Sequence, residues 1–600
     1  MRYKLIWVLL LCCSIGSQAQ DKKVKLPENW FNLDVVESGY FGISTEKAYK
    51  ELLDSKKAKQ EVIVAVIDGG VDINHEDLKG KIWTNKKEIP GNGIDDDGNG
   101  YVDDVHGWNF IGSKKGNLVY DNLELVRIYR KLSPKYKSTT STKNLDSLSK
   151  EEFALYRRVT AELGRKYDDA DQNYRVLFAI NQLLDSVASV TKKKMPSLED
   201  IEAYKPGDEI EEQVKKIIRK GSRESGGYPE FYKDIKKAYE GTEITLKYNL
   251  NPKYDVRDSL VGDDYADGRE RNYGNNDVMG PRAEHGSHVS GIIAANRANN
   301  IGIKGVAESV LIMPIRVVPE GDERDKDVAN GIRYAVDNGA RIINMSFGKN
   351  FKWDKAVVDE AIKYAEEKGV LLVHAAGNDN LNNDKADVFP TKYYDSEASA
   401  AYYKKVKKPI EDLFTPPPLR GQGNRMPSRP DPRLNRGKGP LKPLLDTTKF
   451  DLPHAKNWIE VGASAYKEDD ELKASFSNYG KYTVDVFAPG FMINSTVPGS
   501  KYEEFDGTSM AAPVVSGLAA LILSYYPELT ALQVKDIILK SVRRVDRKVK
   551  HQDEKGASGR ILFSELSRTG GIVNAYNAMK LAAEMTQHAK IGRASCRERV

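Results

Sequence analysis

Short apolar runs alternate with amphipathic stretches along much of the chain. Val62 to Ile67, Val310 to Val318, Arg341 to Met345, Val370 to His374 and Ile459 to Val461 are nearly continuous and rich in valine and isoleucine. Such runs predict short strands buried on both faces. Residues 284–299, 327–338, 354–368 and 508–526 carry apolar residues at helical spacing, and Gly339 and Gly369 stand where two of these helices should stop. Thr530 and Gln533 form a capping-box pattern for a further helix, 531–542. Strands alternating with helices predict an α/β fold with a mostly parallel central sheet covered on both faces, whose sites lie at the carboxyl ends of the strands.

Two stretches break the pattern. Residues 111–280 are charged, lysine-rich and helical in periodicity, which predicts an all-helical insertion, either an inert surface excursion or a gating or partner-binding element. Residues 392–454 contain Pro416, Pro417 and Pro418 and then Arg420, Arg425, Arg429, Arg433, Arg436, Lys438 and Lys442, a composition that cannot bury a core. Aromatic residues on which bases could stack are missing from the basic part, so a solvated loop is favoured over a polyanion-binding arm.

Composition narrows the class. Hydrophobic content of 40% suits a large core, and a mean hydropathy of −0.55 excludes an integral membrane protein. Arg2 and Lys4 precede the apolar run Leu5 to Cys13, and Ser17 and Ala19 offer the small residues of a cleavage site, so residues 1–19 read as a signal peptide and the chain as exported. The run is too short for a stable transmembrane anchor. A lipoprotein reading through Cys12 or Cys13 is less favoured, because Leu11 or Cys12 stands where a small residue is expected. Residues 591–600, which hold the remaining cysteine, Cys596, back-translate into a common short-read sequencing adapter that continues into a stop, and are expected not to belong to the gene. The formal net charge of +5 then loses two with Arg2 and Lys4 and a net two with Arg593, Arg597, Glu598 and Arg599. About +1 is left, and no attraction to nucleic acid follows.

Four positions carry candidate chemistry. Ser509, in Asp506-Gly-Thr-Ser-Met-Ala-Ala-Pro513, sits between a glycine turn and a long apolar helix whose partly positive N-terminus faces its hydroxyl. His285 opens a helix of small residues and could act as a base. Asp68 ends the first strand before Gly69 and Gly70, where a carboxylate could hold an imidazole in one tautomer. Asn378 closes Val370 to Gly377 and could donate to a developing oxyanion.

These segments, in the order Asp, His, Asn, Ser, resemble those of the subtilisin-like serine proteases. The resemblance covers roughly residues 30–110 and 281–582, up to Gly571-Ile-Val-Asn-Ala-Tyr-Asn-Ala578. It implies a three-layer fold, a discontinuous catalytic domain over 20–110 and 281–582, and a serine endopeptidase with Asp68, His285 and Ser509 as triad and Asn378 in the oxyanion hole. Ser346, Phe347 and Gly348 match the edge where a substrate peptide would add as an extended strand. Protein or peptide substrates are expected, with no cofactor for the chemistry. The competing reading is a noncatalytic, partner-binding scaffold on the same fold. Departures are small: Ser287 replaces the family's usual threonine and Glu308 its proline. His288 has no companion ligands at a recognisable spacing and reads as structural. About 40 residues separate Gln20 from the first core strand, too few for a large folding propeptide.

One further cluster lies at 92–104. Asp95, Asp97, Asn99 and Asp103 follow the every-second-residue spacing of a calcium loop with Gly100 at the turn, although His106 stands where a closing glutamate would be expected. It reads as a structural calcium site or a solvated acidic turn.

Overall fold

The computed structural model describes residues 25–597 apart from 387, 398, 400–451 and 553–555. Residues 1–19, expected above to be a signal peptide, most of the basic excursion and the last three residues lie outside the described residues.

The centre is a nine-stranded sheet. Its strands are β1 (Val62–Asp68), β2 (Trp108–Asn109), β3 (Val310–Arg316), β4 (Ile342–Met345), β5 (Leu371–Ala375), β6 (Trp458–Ser464), β7 (Val486–Pro489), β8 (Arg543–Arg544) and β9 (Gly571–Ile572). Their spatial order is β8-β9-β7-β6-β5-β4-β1-β3-β2, and every pairing is parallel except β8 with β9. Strand side chains alternate between faces, and here both faces are apolar. Val62, Val64 and Val66 of β1 enter one core while Ala65 and Ile67 enter the other. That is why the strands are continuous apolar runs.

Helices close both layers. The larger core lies under α5 (Glu284–Ala294), α8 (Thr508–Tyr525), α9 (Ala531–Lys540) and the start of α10 (Ala575–Arg597); the other lies under α6 (Asp325–Asp337) and α7 (Lys355–Glu367). Helix α8 is apolar all round because it is buried all round, contacting β4, β5, β6 and β7. Among the described residues it is the one helix long and apolar enough to cross a membrane, and 89% of it is buried inside the fold.

The helical insertion is narrower than 111–280. Its main helices are α1 (Glu124–Tyr136), α2 (Ser147–Thr191), α3 (Glu209–Glu224) and α4 (Tyr228–Ile244), with shorter turns between. Residues 112–117 instead form a small antiparallel hairpin, and Ile111, Leu118, Val261 and Tyr273 join the core under α6 and α7. These flanks belong to the body because they supply apolar and ion-paired groups to it. Arg257 is fully buried, holding Asp263 through Nε and Nη2 and Asp327 of α6 through Nη1 and Nη2 at 2.7–2.9 Å. The basic excursion is likewise narrower than 392–454: Tyr393 and His454 form an antiparallel bridge, and Tyr394 and Leu452 are buried.

Candidate active site

Asp68 is the last residue of β1, where the buried run reaches the carboxyl edge of the sheet. Its side chain is only 4% exposed, and Oδ1 accepts the Gly69 N–H at 2.7 Å. His285 stands in the first turn of α5 and places Nδ1 2.9 Å from both Asp68 oxygens. An ionised carboxylate only accepts, so Nδ1 carries the proton and the Nε2 lone pair is free. The imidazole is 41% exposed, so that free nitrogen can meet a ligand. Helix α5 comes this close because Gly286 has no side chain: a Cβ there would lie 2.1 Å from the Gly70 carbonyl oxygen. Burial opposes the imidazolium, but the charge and hydrogen bond of Asp68 outweigh it, with Glu320 adding to them, and His285 is held above its ordinary value.

Ser509 occupies the first turn of α8, where N–H groups have no intrahelical acceptor. Its hydroxyl donates to the Ser346 carbonyl at 3.0 Å, and Ser346 Oγ donates in return to the Ser509 carbonyl at 2.9 Å. Asn344 Nδ2 holds Ser346 Oγ at 2.9 Å, and Ser516 of α8 holds Asn344 Oδ1 at 2.8 Å. The end of β4 is thereby tied to the helix carrying the serine. Ser346 is thus part of the support of Ser509, while Phe347 and Gly348 lead on to Lys349, which forms an antiparallel bridge with Phe389.

Asn378 follows β5 on an exposed turn. Its Oδ1 accepts from both the backbone N–H and the Oγ1 hydroxyl of Thr508, each at 2.9 Å. This fixes the amide's orientation, since a flipped amide would set NH₂ against an N–H donor. Nδ2 is left to donate beside Ser509. Thr508 was not singled out from the sequence, although its position directly before the serine was the available signal.

His288, one turn beyond His285, is a different histidine. It is fully buried, stacks on Phe505 with ring centres 4.3 Å apart, and its Nε2 faces the carbonyls of Ile493 and Glu503 at 2.9 and 3.0 Å. Burial pushes it down to about 3, so it is a neutral clamp on the hairpin Ile493–Phe505.

The acidic loop is assembled differently from its linear spacing. Ligand atoms of Asp95 and Asp97 lie within 4.8 Å of one another and of a third carboxylate, Glu88. Asp103 is instead spent on the loop, accepting the N–H groups of Gly91, Asn92 and Gly93 at 2.7–3.1 Å. Asn99 caps Tyr101 through Oδ1 and reaches Asp104 through Nδ2. His106 points Nδ1 at the Trp83 carbonyl, 2.9 Å away. Glu88, which precedes the loop, accepts the N–H groups of Asp96, Asp97 and Asp103 at 2.9–3.2 Å and so joins the cluster from outside the linear spacing.

A subtilisin from Bacillus pumilus is 32% identical over 257 residues, 42% of this chain and 68% of that protein. Subtilisin NAT from Bacillus subtilis subsp. natto is 30% identical over 257 residues, 42% of this chain and 49% of its own. A thermophilic serine proteinase from Bacillus sp. (strain AK1) is 30% identical over 313 residues, 50% of this chain and 56% of that protein. The chain thus spans about half the length of several of the curated relatives it matches. A solved structure described as "Structural basis of subtilase cytotoxin SubAB assembly" is 21% identical, covers 50% of this chain and 77% of that one, and has a TM-score of 0.34. The profile described as "Subtilase family" matches residues 59–560, and the chain belongs to that family.

Proposed function

We propose that the protein is an exported serine endopeptidase working through an acyl-enzyme. The observation that carries this reading is the buried Asp68 holding Nδ1 of a half-open His285, on the carboxyl edge of the sheet that also positions Ser509 and Asn378. On substrate entry the Ser509 hydroxyl turns from the Ser346 carbonyl to His285 Nε2, which takes its proton as Oγ attacks the peptide carbonyl. Asp68 stabilises the imidazolium without accepting the proton. The oxyanion is met by Asn378 Nδ2 and the first-turn N–H of Ser509, both held before reaction begins. His285 then protonates the leaving amine, and a water repeats the sequence to release the acid. No metal enters these steps.

Glu88, Asp95 and Asp97 are proposed to hold a structural calcium ion. The donor set is hard and anionic, as the ion requires. Among the described residues no lysine or arginine lies in a salt bridge with any of the three, and their negative charge is met by backbone N–H groups of the loop, those of Asp96, Asp97 and Asp103 on Glu88 and those of Asn99 and Gly100 on Asp95.

Export through removal of residues 1–19 belongs to the same proposal, with a secreted chain beginning at Gln20 as its readout by intact mass. The function is tested by hydrolysis of an unfolded protein by wild type and Ser509→Ala at equal folded concentration. Cleavage should fall to background in the variant; equal cleavage by both would end the proposal.

A further inference from the structure

Resting on that reading, the structure also bears on what keeps the oxyanion donor in place. Beyond Ala376, whose N–H still reaches the Val461 carbonyl of β6 at 2.9 Å, the chain leaves the sheet and bends through Asn378 and Asp379. Asn378 is exposed; Thr508 orients its amide and accepts the Gly377 N–H at 3.1 Å. A donor to the oxyanion is worth most when its position is set before reaction, so the backbone on the far side of Asn378 needs a support as well.

That support is Asn478, in the segment Phe476-Ser-Asn-Tyr-Gly480 between β6 and β7. It is fully buried, and its side chain uses every donor and acceptor it has. Oδ1 accepts the N–H groups of Asp379 and Leu381 at 3.0 and 2.8 Å, and Nδ2 donates to the Ala376 carbonyl and to Asn383 Oδ1 at 2.9 and 3.1 Å. Two backbone N–H groups on one side and a carbonyl on the other leave the amide a single orientation. The Asn478 N–H also donates to the Gly377 carbonyl at 2.9 Å. Asn378 is thus gripped through Ala376 and Gly377 before it and Asp379 after it. Gly377 lets the two segments come this close: its φ is +107°, and a Cβ there would lie 2.5 Å from Asn478 Nδ2. Asn478 is in turn tied to the sheet, since Ser477 Oγ donates to its carbonyl and accepts the Ala463 N–H of β6, both at 2.8 Å.

We propose that Asn478 is a positioning residue for the reaction, acting on turnover through Asn378. It touches neither substrate nor Ser509; it sets where the Asn378 amide stands.

The test uses the full chain, with active sites counted by the end point of fluorophosphonate labelling so that misfolded molecules drop out of kcat. Asn478→Ala should lower kcat about ten- to a hundredfold with KM changed by less than about twofold, the scale of loss when a catalytic group is displaced by up to about 1 Å. In an Asn378→Ala background the same substitution should lower kcat by less than about twofold, because the donor it positions is already gone. A residue that only stabilises the fold would not show this coupling. If Asn478→Ala does not fold, Asn383→Ala, which removes one partner of Asn478 Nδ2, is judged by the same pair of backgrounds, with a fall of about three- to tenfold expected where Asn378 is present. Equal losses of kcat in the two backgrounds, or a loss confined to KM, would overturn the positioning role while the peptidase reading stands. Wild type that takes up no label would end the peptidase reading, and this inference with it.

Discussion

The body and the helical insertion bury their residues by different means. In the body, β1 is seven residues long and sinks Val64 and Val66 into one core and Ala65 and Ile67 into the other. In the insertion, α2 runs for 45 residues and buries eight side chains, in two small clusters apart from the body's cores. Much of its remaining surface is laced with helical ion pairs such as Arg165 with Glu162 and Asp169. The side chains proposed for catalysis, Asp68, His285, Asn378 and Ser509, all stand at or just beyond an end of a buried element of the body. The insertion is joined to that body through charge as well as through Phe351, which enters one of its clusters: Glu124 of α1 meets Lys349, Arg127 meets Glu124 and Asp121, and the segment leading back holds Arg257 against Asp327. The two regions should therefore respond to different perturbations.

The largest expected effect breaks that junction. Arg257→Met leaves Asp327 buried without a cation and Asp263 with Lys326 alone, and should cost about 3–5 kcal/mol, visible as a large fall in melting temperature, whereas Arg165→Ala on the insertion surface should change stability by less than about 0.5 kcal/mol. Similar shifts for the two would mean that the buried junction has no special weight. Next comes the body's chemistry: Asn378→Ala should lower kcat about 10² to 10³-fold with KM little changed, a magnitude known from the equivalent donor of subtilisin rather than derived from this geometry. A loss confined to KM would place Asn378 in substrate binding instead.

A somewhat smaller effect concerns the acidic loop, which lies in the body but is built from side chains and turns. If Glu88, Asp95 and Asp97 hold calcium, removing the ion by chelation from protein held at about a hundred times the dissociation constant should remove about 2.7 kcal/mol of stability. The melting temperature of an Asp95→Ala/Asp97→Ala variant should barely respond. Equal responses would take the loop out of consideration.

Much of the body was legible in the sequence for a physical reason. Strands buried on both faces must be apolar throughout, so β1, β3, β4 and β5 announce themselves, and Asp68, His285, Asn378 and Ser509 each stand at an element boundary marked by small residues. What escaped depended on tertiary closure. Glu88 reaches the calcium-type loop from before it, and Thr508 orients an asparagine 130 positions away. The true limits of the insertion were hidden because residues 256–280 are polar in sequence yet bury Arg257 and Asp263 in pairs with Asp327 and Lys326 of α6.

The smallest effect is a shift in pH dependence. Catalysis needs His285 neutral, and Asp68 holds its protonated form above the ordinary imidazole value of 6.5. Activity, read as kcat/KM, should therefore rise with pH through a midpoint above 6.5 and fall away below it. In Asp68→Asn the residual activity should show this limb moved to lower pH; an unmoved limb would assign it to another group.

The central claim is that Ser509 is the nucleophile of an assembled triad. It is tested most directly by intact mass and peptide mapping after reaction with a fluorophosphonate. The account predicts one adduct per chain, located on Ser509, absent in Ser509→Ala and strongly slowed in His285→Ala. An adduct on another residue, or labelling that survives loss of Ser509, would contradict it.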